Sequence, residues 1–496
     1  MIGPRTIRLG VLLVGLALMA SACSVHRLDD EAGLRSGAGR AGEQRGSDAA
    51  IVPPGQVLDQ PEGATGGAGS GGATGRGGAA GAAARAPAAN QQSAVPRRAS
   101  DRGVTEQEIS LGILQTSDAF FAATGGSTKD FRRVIAPFIK EINDSGGING
   151  RTVVPKFSTY DPLSADSMKA ACVQQAEDHK VFASIAQIGF YGDAEICMAT
   201  KQVPLLTFNN STEKTNVDRE RGWVRQTNQN KDRNIKNWID WMIASGLLSA
   251  GVKTGLVYVD VPEDRDLVNE IVLPYLRSKG MPAPQMATLS ASIAQTPSEA
   301  QSAVLRFKAE NVRLVLPLVS FLRILIFAEQ ADAAQYVPEY SVSDFGLLST
   351  DAMAGMPPSQ WAGVRGITIS PTGTVEPGAL PKGAAFADCH RVYKKYGEEF
   401  APNSDDPSRP DGLEVAMMAH YCQHIALWAD AARRAGTNPT RRSFLDAVDA
   451  TGTWNHRVVL SERLTFNRSK YDGADLFAVV EWKPNCNSDG GCYRQV

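Results

Sequence analysis

The chain has 496 residues, room for two or three domains of ordinary size. Lys and Arg number 51 against 53 Asp and Glu, for a formal net charge of -2. That balance lacks the basic excess with which proteins neutralise nucleic-acid phosphates, so nucleic acid is excluded as a partner.

The first elements read as export machinery. Arg5 and Arg8 precede an apolar run, Leu9 to Met19, which is too short to span a bilayer. Ala20-Ser21-Ala22 then gives the small residues of a signal-peptidase site, so residues 1–22 are expected to be a signal peptide. The Cys23 that follows resembles the bacterial lipobox cysteine, with Ala20 where that motif usually carries Leu. The resemblance implies acylation of Cys23 and a lipid anchor on the outer face of the bacterial cytoplasmic membrane. Residues 23–103 are expected to form a disordered tether. From Pro61 to Asn90, 21 of 30 residues are Gly or Ala, leaving almost nothing to bury. Gly67-Ala68-Gly69-Ser70-Gly71-Gly72 formally matches a dinucleotide fingerprint, but no strand precedes it and no helix follows.

From Val104 the pattern becomes globular. Strands are expected at Ile109–Leu114, Val153–Tyr160, Phe182–Gln187 and Pro204–Phe208. Helices are expected at Phe131–Ile142 (with Pro137 inside), Asp166–Asp178 and Asp193–Lys201. The alternation resumes with a helix at Trp238–Leu248, a strand at Gly255–Val259 and a helix at Leu267–Lys279. A strand at Val312–Leu316 and a helix at Phe321–Ala334 follow, then long helices at Ala384–Tyr396 and Leu413–Ala435, and a strand at Leu476–Trp482. Strands alternating with helices imply parallel sheets covered on both faces. Two such blocks, before and after about Thr227, imply two lobes.

Apart from Cys23, six cysteines remain, a number that allows 15 pairings. In an exported protein they are expected to be oxidised, and proximity favours Cys172–Cys197, Cys389–Cys422 and Cys486–Cys492. His420, Cys422 and His424, with Cys389-His390, have spacing that zinc could use. Oxidation of Cys389 and Cys422 competes with that, and no metal is assigned. The chain has no Gly-Lys-Ser/Thr, His-Glu-x-x-His or Gly-x-Ser-x-Gly motif. No cofactor and no catalytic residue are therefore assigned, and binding is expected rather than catalysis.

The stretch Glu141-Ile142-Asn143-Asp144-Ser145-Gly146-Gly147-Ile148-Asn149-Gly150-Arg151 closely resembles the helix end and turn of the leucine/isoleucine/valine-binding family of ABC-transporter substrate-binding proteins. Gly146 and Gly147 suit a left-handed helix end, and Asn149-Gly150 a tight turn into the next strand. Ile109 to Leu114, Tyr160-Asp161-Pro162 and Gly255 to Asp260 resemble further strands and strand exits of that family. The likeness spans about 104–496. It implies an α/β fold of the type I periplasmic binding protein class: two doubly wound, Rossmann-like lobes joined by three crossover strands, following the linker. The lobes would comprise 104–226 plus about 371–465, and 227–370 plus about 466–496.

Ligands of open α/β sheets bind at the carboxyl ends of the strands. The resemblance accordingly places Gln115, Phe190, Tyr191, Asn209, Asn210 and Ser211 on the cleft face of the first lobe. Asp260, Ser320, Phe321, Asp344 and Phe345 would line the second. Asp344 falls where amino-acid-binding relatives pair with the ligand's ammonium, and Ser211 where they bind its carboxylate. Gly189-Phe190-Tyr191 stands where relatives carry a serine, which points to a larger or more apolar ligand. The function implied is capture of an amino acid, amide or small carboxylate by a monomer that serves ABC permease subunits. A ligand-sensing ectodomain and, more remotely, a hydrolase remain the alternatives.

Overall fold

Glu108–Thr116 (β1) is buried at every position but its first. A strand so enclosed belongs inside a parallel sheet with both faces covered, where the alternation between core and solvent is lost. The computed structural model places β1 in such a sheet. It describes residues 95–117, 131–162, 164–186, 189–209, 211–344, 355–369, 384–402, 410, 412–454, 464–484 and 491–496. The signal segment, Cys23, the Gly67–Gly72 run, Asn210, Phe345 and Cys486 lie outside the described residues.

After β1 the chain runs through α1 (Phe131–Asp144), β2 (Thr152–Tyr160) and α2 (Ala165–Val173), which widens into a π-type turn at Gln174–Asp178. β3 (Ala183–Ala186), α3 (Asp193–Thr200), β4 (Leu205–Thr207), a second π-type turn (Thr215–Arg219) and β5 (Val224–Gln226) complete the first unit. The strands form a five-stranded sheet in the order β2-β1-β3-β4-β5, with every pairing parallel. The apolar stripe of α1 (Phe131, Val134, Ile135, Phe138, Ile139 and Ile142) faces the core, and Pro137 is accommodated within the helix. At its end Gly146 and Gly147 take φ of 93° and 71°, and Asn149 and Gly150 take 50° and 81°. A Cβ on Gly147 would stand 2.0 Å from the Arg151 carbonyl oxygen, so only glycine fits that turn.

The second unit follows the same plan. It contains α4 (Lys231–Ala244), β6 (Thr254–Val259), α5 (Pro262–Asp266), a π-type stretch (Leu267–Val272) and α6 (Leu273–Ser278). It continues with β7 (Gln285–Leu289), α7 (Thr296–Ala309), β8 (Leu314–Leu318), α8 (Phe321–Ala333), β9 (Glu339–Val342), α9 (Pro358–Trp361) and β10 (Arg365–Thr368). Then come α10 (Ala384–Lys395), α11 (Gly412–Arg434), α12 (Arg441–Asp449), a small hairpin of β11 (Gly452–Trp454) with β12 (Leu464–Phe466), β13 (Ala478–Lys483) and β14 (Cys492–Gln495). The second sheet reads β14-β13-β10-β9-β8-β6-β7. Its parallel part repeats the strand order of the first sheet, and β13 and β14 extend it antiparallel.

α10 and α11 return to the first unit and pack on α1, with the Phe138 and Tyr393 rings stacked at 6.5 Å. The chain thus passes between the sheets three times: after β5, between β10 and α10, and between α12 and β13. The first and third passages are tied together. Gln226 N–H donates to the Tyr471 carbonyl at 2.9 Å, and Asn230 N–H to Asp472 at 3.0 Å. Arg225 makes two bonds to the Asp449 carboxylate, at 2.7 and 2.8 Å, with both side chains buried.

Two expectations shift. The helix expected from Trp238 begins at Lys231, because Asn230 caps it and its first two turns carry mostly polar residues. Residues 95–103, expected in the tether, are bonded to the folded body. Arg97 donates to the Gly150 carbonyl (3.0 Å), Arg98 N–H to Asn438 Oδ1 (2.9 Å), Ser100 to the Pro439 carbonyl (2.6 Å) and Arg102 to the Ala176 carbonyl (3.1 Å), while Asp101 accepts from Arg441. Cys172–Cys197 and Cys389–Cys422 are disulfides as expected. Cys492 is also disulfide-bonded, and its expected partner Cys486 is among the residues not described.

Candidate ligand-binding cleft

In a parallel sheet all strands point the same way, so the loops leaving their carboxyl ends gather along one edge. β1 ends on Gln115 and Thr116, β3 leads to Gly189–Tyr191 and β4 to Asn209 and Ser211. β6 leads to Asp260, β8 to Ser320 and Phe321, and β9 to Asp344. Each described residue expected in the cleft therefore lies at a carboxyl edge of one of the two like sheets.

Their side chains divide into groups that face outward and groups engaged within the protein. Gln115 is buried and its Oε1 has no hydrogen-bond partner. Phe190 is fully buried, edge-on to Tyr160 at 5.2 Å, and so packs the core of the first unit. Tyr191 is 51% exposed, an unusual position for so large a ring, and its hydroxyl donates to the Pro162 carbonyl at 3.3 Å. Gly189 and Gly192 flank it with φ of 96° and 64°. Asn209 ties the second loop to the third: it donates to the Phe190 carbonyl and accepts from Gly189 N–H at 3.2 Å.

Ser211 points inward. Its hydroxyl lies 2.9 Å from Glu220 Oε1 and 3.3 Å from Glu195 Oε2, and all three residues are buried. Asp344 is likewise engaged, accepting from the Thr368 hydroxyl at 2.5 Å and from Ile369 N–H at 2.6 Å. These bonds fasten the end of β9 to the end of β10. Burial raises the Asp344 carboxyl to about 6 in spite of them. In this arrangement both groups bond within the protein, Ser211 to two glutamates and Asp344 to the end of β10. Asp260 is exposed and paired with Arg265 at 3.2 Å, Ser320 is exposed, and Phe321 is half-buried against the core of the second unit.

The sequence reading missed the cations of this region. Lys231, at the start of α4, bonds Glu263 at 3.0 Å and lies 3.5 Å from Asp264, with little of its side chain exposed. Burial opposes its charge, yet the two carboxylates hold its ammonium above the ordinary range. Arg323, half-buried in the first turn of α8, donates to the Ala291 carbonyl at 2.7 Å and the Ser290 carbonyl at 3.4 Å, and its Nε has no hydrogen-bond partner. Among the described residues no carboxylate forms an ion pair with it. Both cations act on Tyr191: burial raises that phenol, while Arg323 and then Lys231 oppose the rise. The ring belongs to the first unit and the two cations to the second, near enough for their charges to act on it. Beside it Lys214 of the first unit bridges to Glu270 (3.2 Å) and Asp266 (3.8 Å) of the second. The signals for Lys231 were the Asn230 cap before it, and for Arg323 the Ser320-Phe321 helix start.

The histidines of α11 serve packing. His424 contacts the Thr227 hydroxyl (3.1 Å) and the His420 carbonyl (2.7 Å). His420 sits edge-on to Phe208 at 4.1 Å, and burial lowers it to about 3, so it is neutral. Among the described residues no group of three His, Cys, Asp or Glu side chains could hold a metal ion.

Comparison with known proteins agrees with this fold. Residues 108–490 match the periplasmic binding protein family. No curated protein matches the sequence. Among solved structures, a fatty acid ABC transporter substrate-binding protein from Thermomonospora curvata is 15% identical, with a TM-score of 0.58 over 80% of this chain and 93% of that one. A leucine-binding protein from Thermotoga maritima is 16% identical, with a TM-score of 0.55 over 78% and 97% of the two chains. A solute-binding protein of an ABC transporter from Rhodopseudomonas palustris, in complex with 3,4-dihydroxybenzoic acid, is 15% identical, with a TM-score of 0.56 over 78% and 96%. At such identities the likeness is one of fold.

Proposed function

Because this chain belongs to the periplasmic binding protein family, we propose that it is an extracytoplasmic solute-binding protein that captures a small carboxylate or amino-acid-like ligand for an ABC importer. The observation that carries this is the presence of two sheets of the same strand order, with the exposed ring of Tyr191 after a strand of the first and Arg323, which has no ion pair among the described residues, after a strand of the second. Lys231 is already matched by two carboxylates, whereas Arg323 donates only to backbone carbonyls and keeps donor capacity for a planar anion. The leucine and 3,4-dihydroxybenzoic acid named for two structural neighbours are both carboxylic acids, and Tyr191 offers a face for the rest of such a molecule.

Binding works by closure: each unit contributes contacts that coexist only when the two approach, and the ligand shifts the equilibrium by that difference. The finer reading adds a lipid anchor at Cys23 after a cleaved signal, a monomeric state and lobes bounded near 226, 371 and 466. The test is thermal unfolding of the purified protein against amino acids, amides, aliphatic acids and aromatic acids. A ligand at 100 times its dissociation constant adds about 2.7 kcal/mol. Arg323→Ala is expected to weaken binding of the best acid at least tenfold, a loss of about 1.4 kcal/mol, with the fold retained. Unchanged affinity in that variant would remove Arg323 from the site, and stabilisation only by uncharged compounds would discard the carboxylate.

A further inference from the structure

Beneath the first unit's cleft loops a single hydroxyl separates two carboxyl groups. Ser211 Oγ is within hydrogen-bond distance of both Glu220 Oε1 and Glu195 Oε2, and each glutamate is only 1% exposed. A hydroxyl has one hydrogen to donate. It can satisfy one carboxylate oxygen, and the second contact becomes a hydrogen bond only if the other carboxyl is protonated and donates to the hydroxyl oxygen. The remaining oxygens differ: Glu220 Oε2 accepts from Asn216 at 2.7 Å, whereas Glu195 Oε1 has no partner.

The surroundings supply no counter-charge. Arg225 of β5, the cation that acts on Glu220, is already paired with Asp449. Lys231 of α4 is matched by Glu263 and Asp264 of α5, and Arg219 pairs with the exposed Asp193. Tyr160 of β2, which burial keeps a neutral phenol, and Thr207 of β4 act on Glu195 without bringing it a positive charge. Glu263, from the second unit, adds a like charge felt by both glutamates. Two ionised carboxylates in such a place repel each other and lack compensation.

We infer that Glu195 and Glu220 hold one proton between them at neutral pH, relayed by the Ser211 hydroxyl, and that this proton is a pH-sensitive lock on the floor of the cleft. The balance is simple: the pair takes up one proton from solvent on folding and returns it when the native pair is titrated. Burial, then Glu220, raise Glu195, and burial raises Glu220 to about 6, in agreement with the hydrogen count. Glu195 lies on α3, directly after the Tyr191 loop, and Ser211 ends the Asn209 loop. Loss of the proton leaves two charges at one hydroxyl and pushes these two loops apart.

The test uses the full protein and needs no ligand. Infrared difference spectra of wild type, Glu195→Gln and Glu220→Gln at about pH 7 report protonated carboxyls, and thermal unfolding is followed from about pH 5 to 8. A native proton absent from the unfolded chain makes the folding constant fall about tenfold per pH unit across the window between the ordinary glutamate value of 4.5 and the native one. The expected results are a protonated-carboxyl band in wild type that Glu195→Gln removes and Glu220→Gln keeps, and a pH slope shallower by that one proton in Glu195→Gln. Should either Gln variant fail to fold, Ser211→Ala supplies the readout, because it removes the relay and shifts the band. Absence of the band from wild type, or the same slope in wild type and Glu195→Gln, would overturn the inference.

Discussion

At the scale of single residues, burial sets what a carboxyl does. Asp344 accepts two hydrogen bonds, which favour its charged form, yet burial dominates and the group stands at about 6 against an ordinary 3.8. A raised native value means that the folded protein holds the proton more tightly than the unfolded chain. The stability it contributes is complete below pH 3.8 and is lost as pH rises through about 6. Asp344→Asn keeps an acceptor for Thr368 or Ile369 and cannot ionise. It should therefore remove one proton's worth of the decline in stability between about pH 4 and 6, measured as unfolding midpoint against pH. A carboxylate needed for a ligand's ammonium would also make this variant bind an amino acid poorly, so affinity and pH slope together separate the two roles.

At the scale of elements, each disulfide fastens one helix to the helix that follows it in the chain. Cys172–Cys197 holds α2 to α3, closing 25 residues, and Cys389–Cys422 holds α10 to α11, closing 33. Chain entropy alone assigns each about 3–4 kcal/mol. Cys389→Ala with Cys422→Ala should lower the stability of the unit built on α1 by that order, read from urea unfolding with and without reductant. The longer elements were legible in the sequence for physical reasons. α1 shows its stripe at helical spacing, β1 carries the apolar run Ile109, Leu111, Ile113 and Leu114, and β8 is apolar throughout, as suits parallel strands enclosed on both faces. The start of α4 was not legible from hydrophobicity, because Lys231, Asp232, Arg233 and Asn234 carry polar side chains even though Asp232 and Asn234 are buried. Strands β5, β9 and β10 are only three or four residues long, too short for any period to show.

At the scale of the whole molecule, the positions of the cleft loops could be read in advance and the roles of their side chains could not. Every loop expected there follows the carboxyl end of a strand, which topology alone dictates. Whether Ser211 faces a ligand or Glu195 and Glu220 depends on residues distant in sequence, and no local pattern reports it. The same holds for the crossovers. Arg225 and Asp449, 224 positions apart, meet as a buried pair beside the Tyr471 ring, 4.5 Å from the guanidinium. Asp449→Asn leaves a buried guanidinium without its charge partner, and should cost about 3–5 kcal/mol in equilibrium unfolding.

The segment from Arg97 to Arg102 has a mechanical meaning. Its anchor points are Gly150, Ala176, Asn438, Pro439 and Arg441, all on the α1-bearing unit and its returning helices, and Arg151, itself buried, grips the carbonyls of Arg98 and Thr105. Tension arriving through the N-terminus is shared among these bonds before it reaches β1. It loads one jaw of the molecule and leaves the other hanging from the three connecting passages. A pull on the N-terminus therefore reaches the second jaw only through those passages.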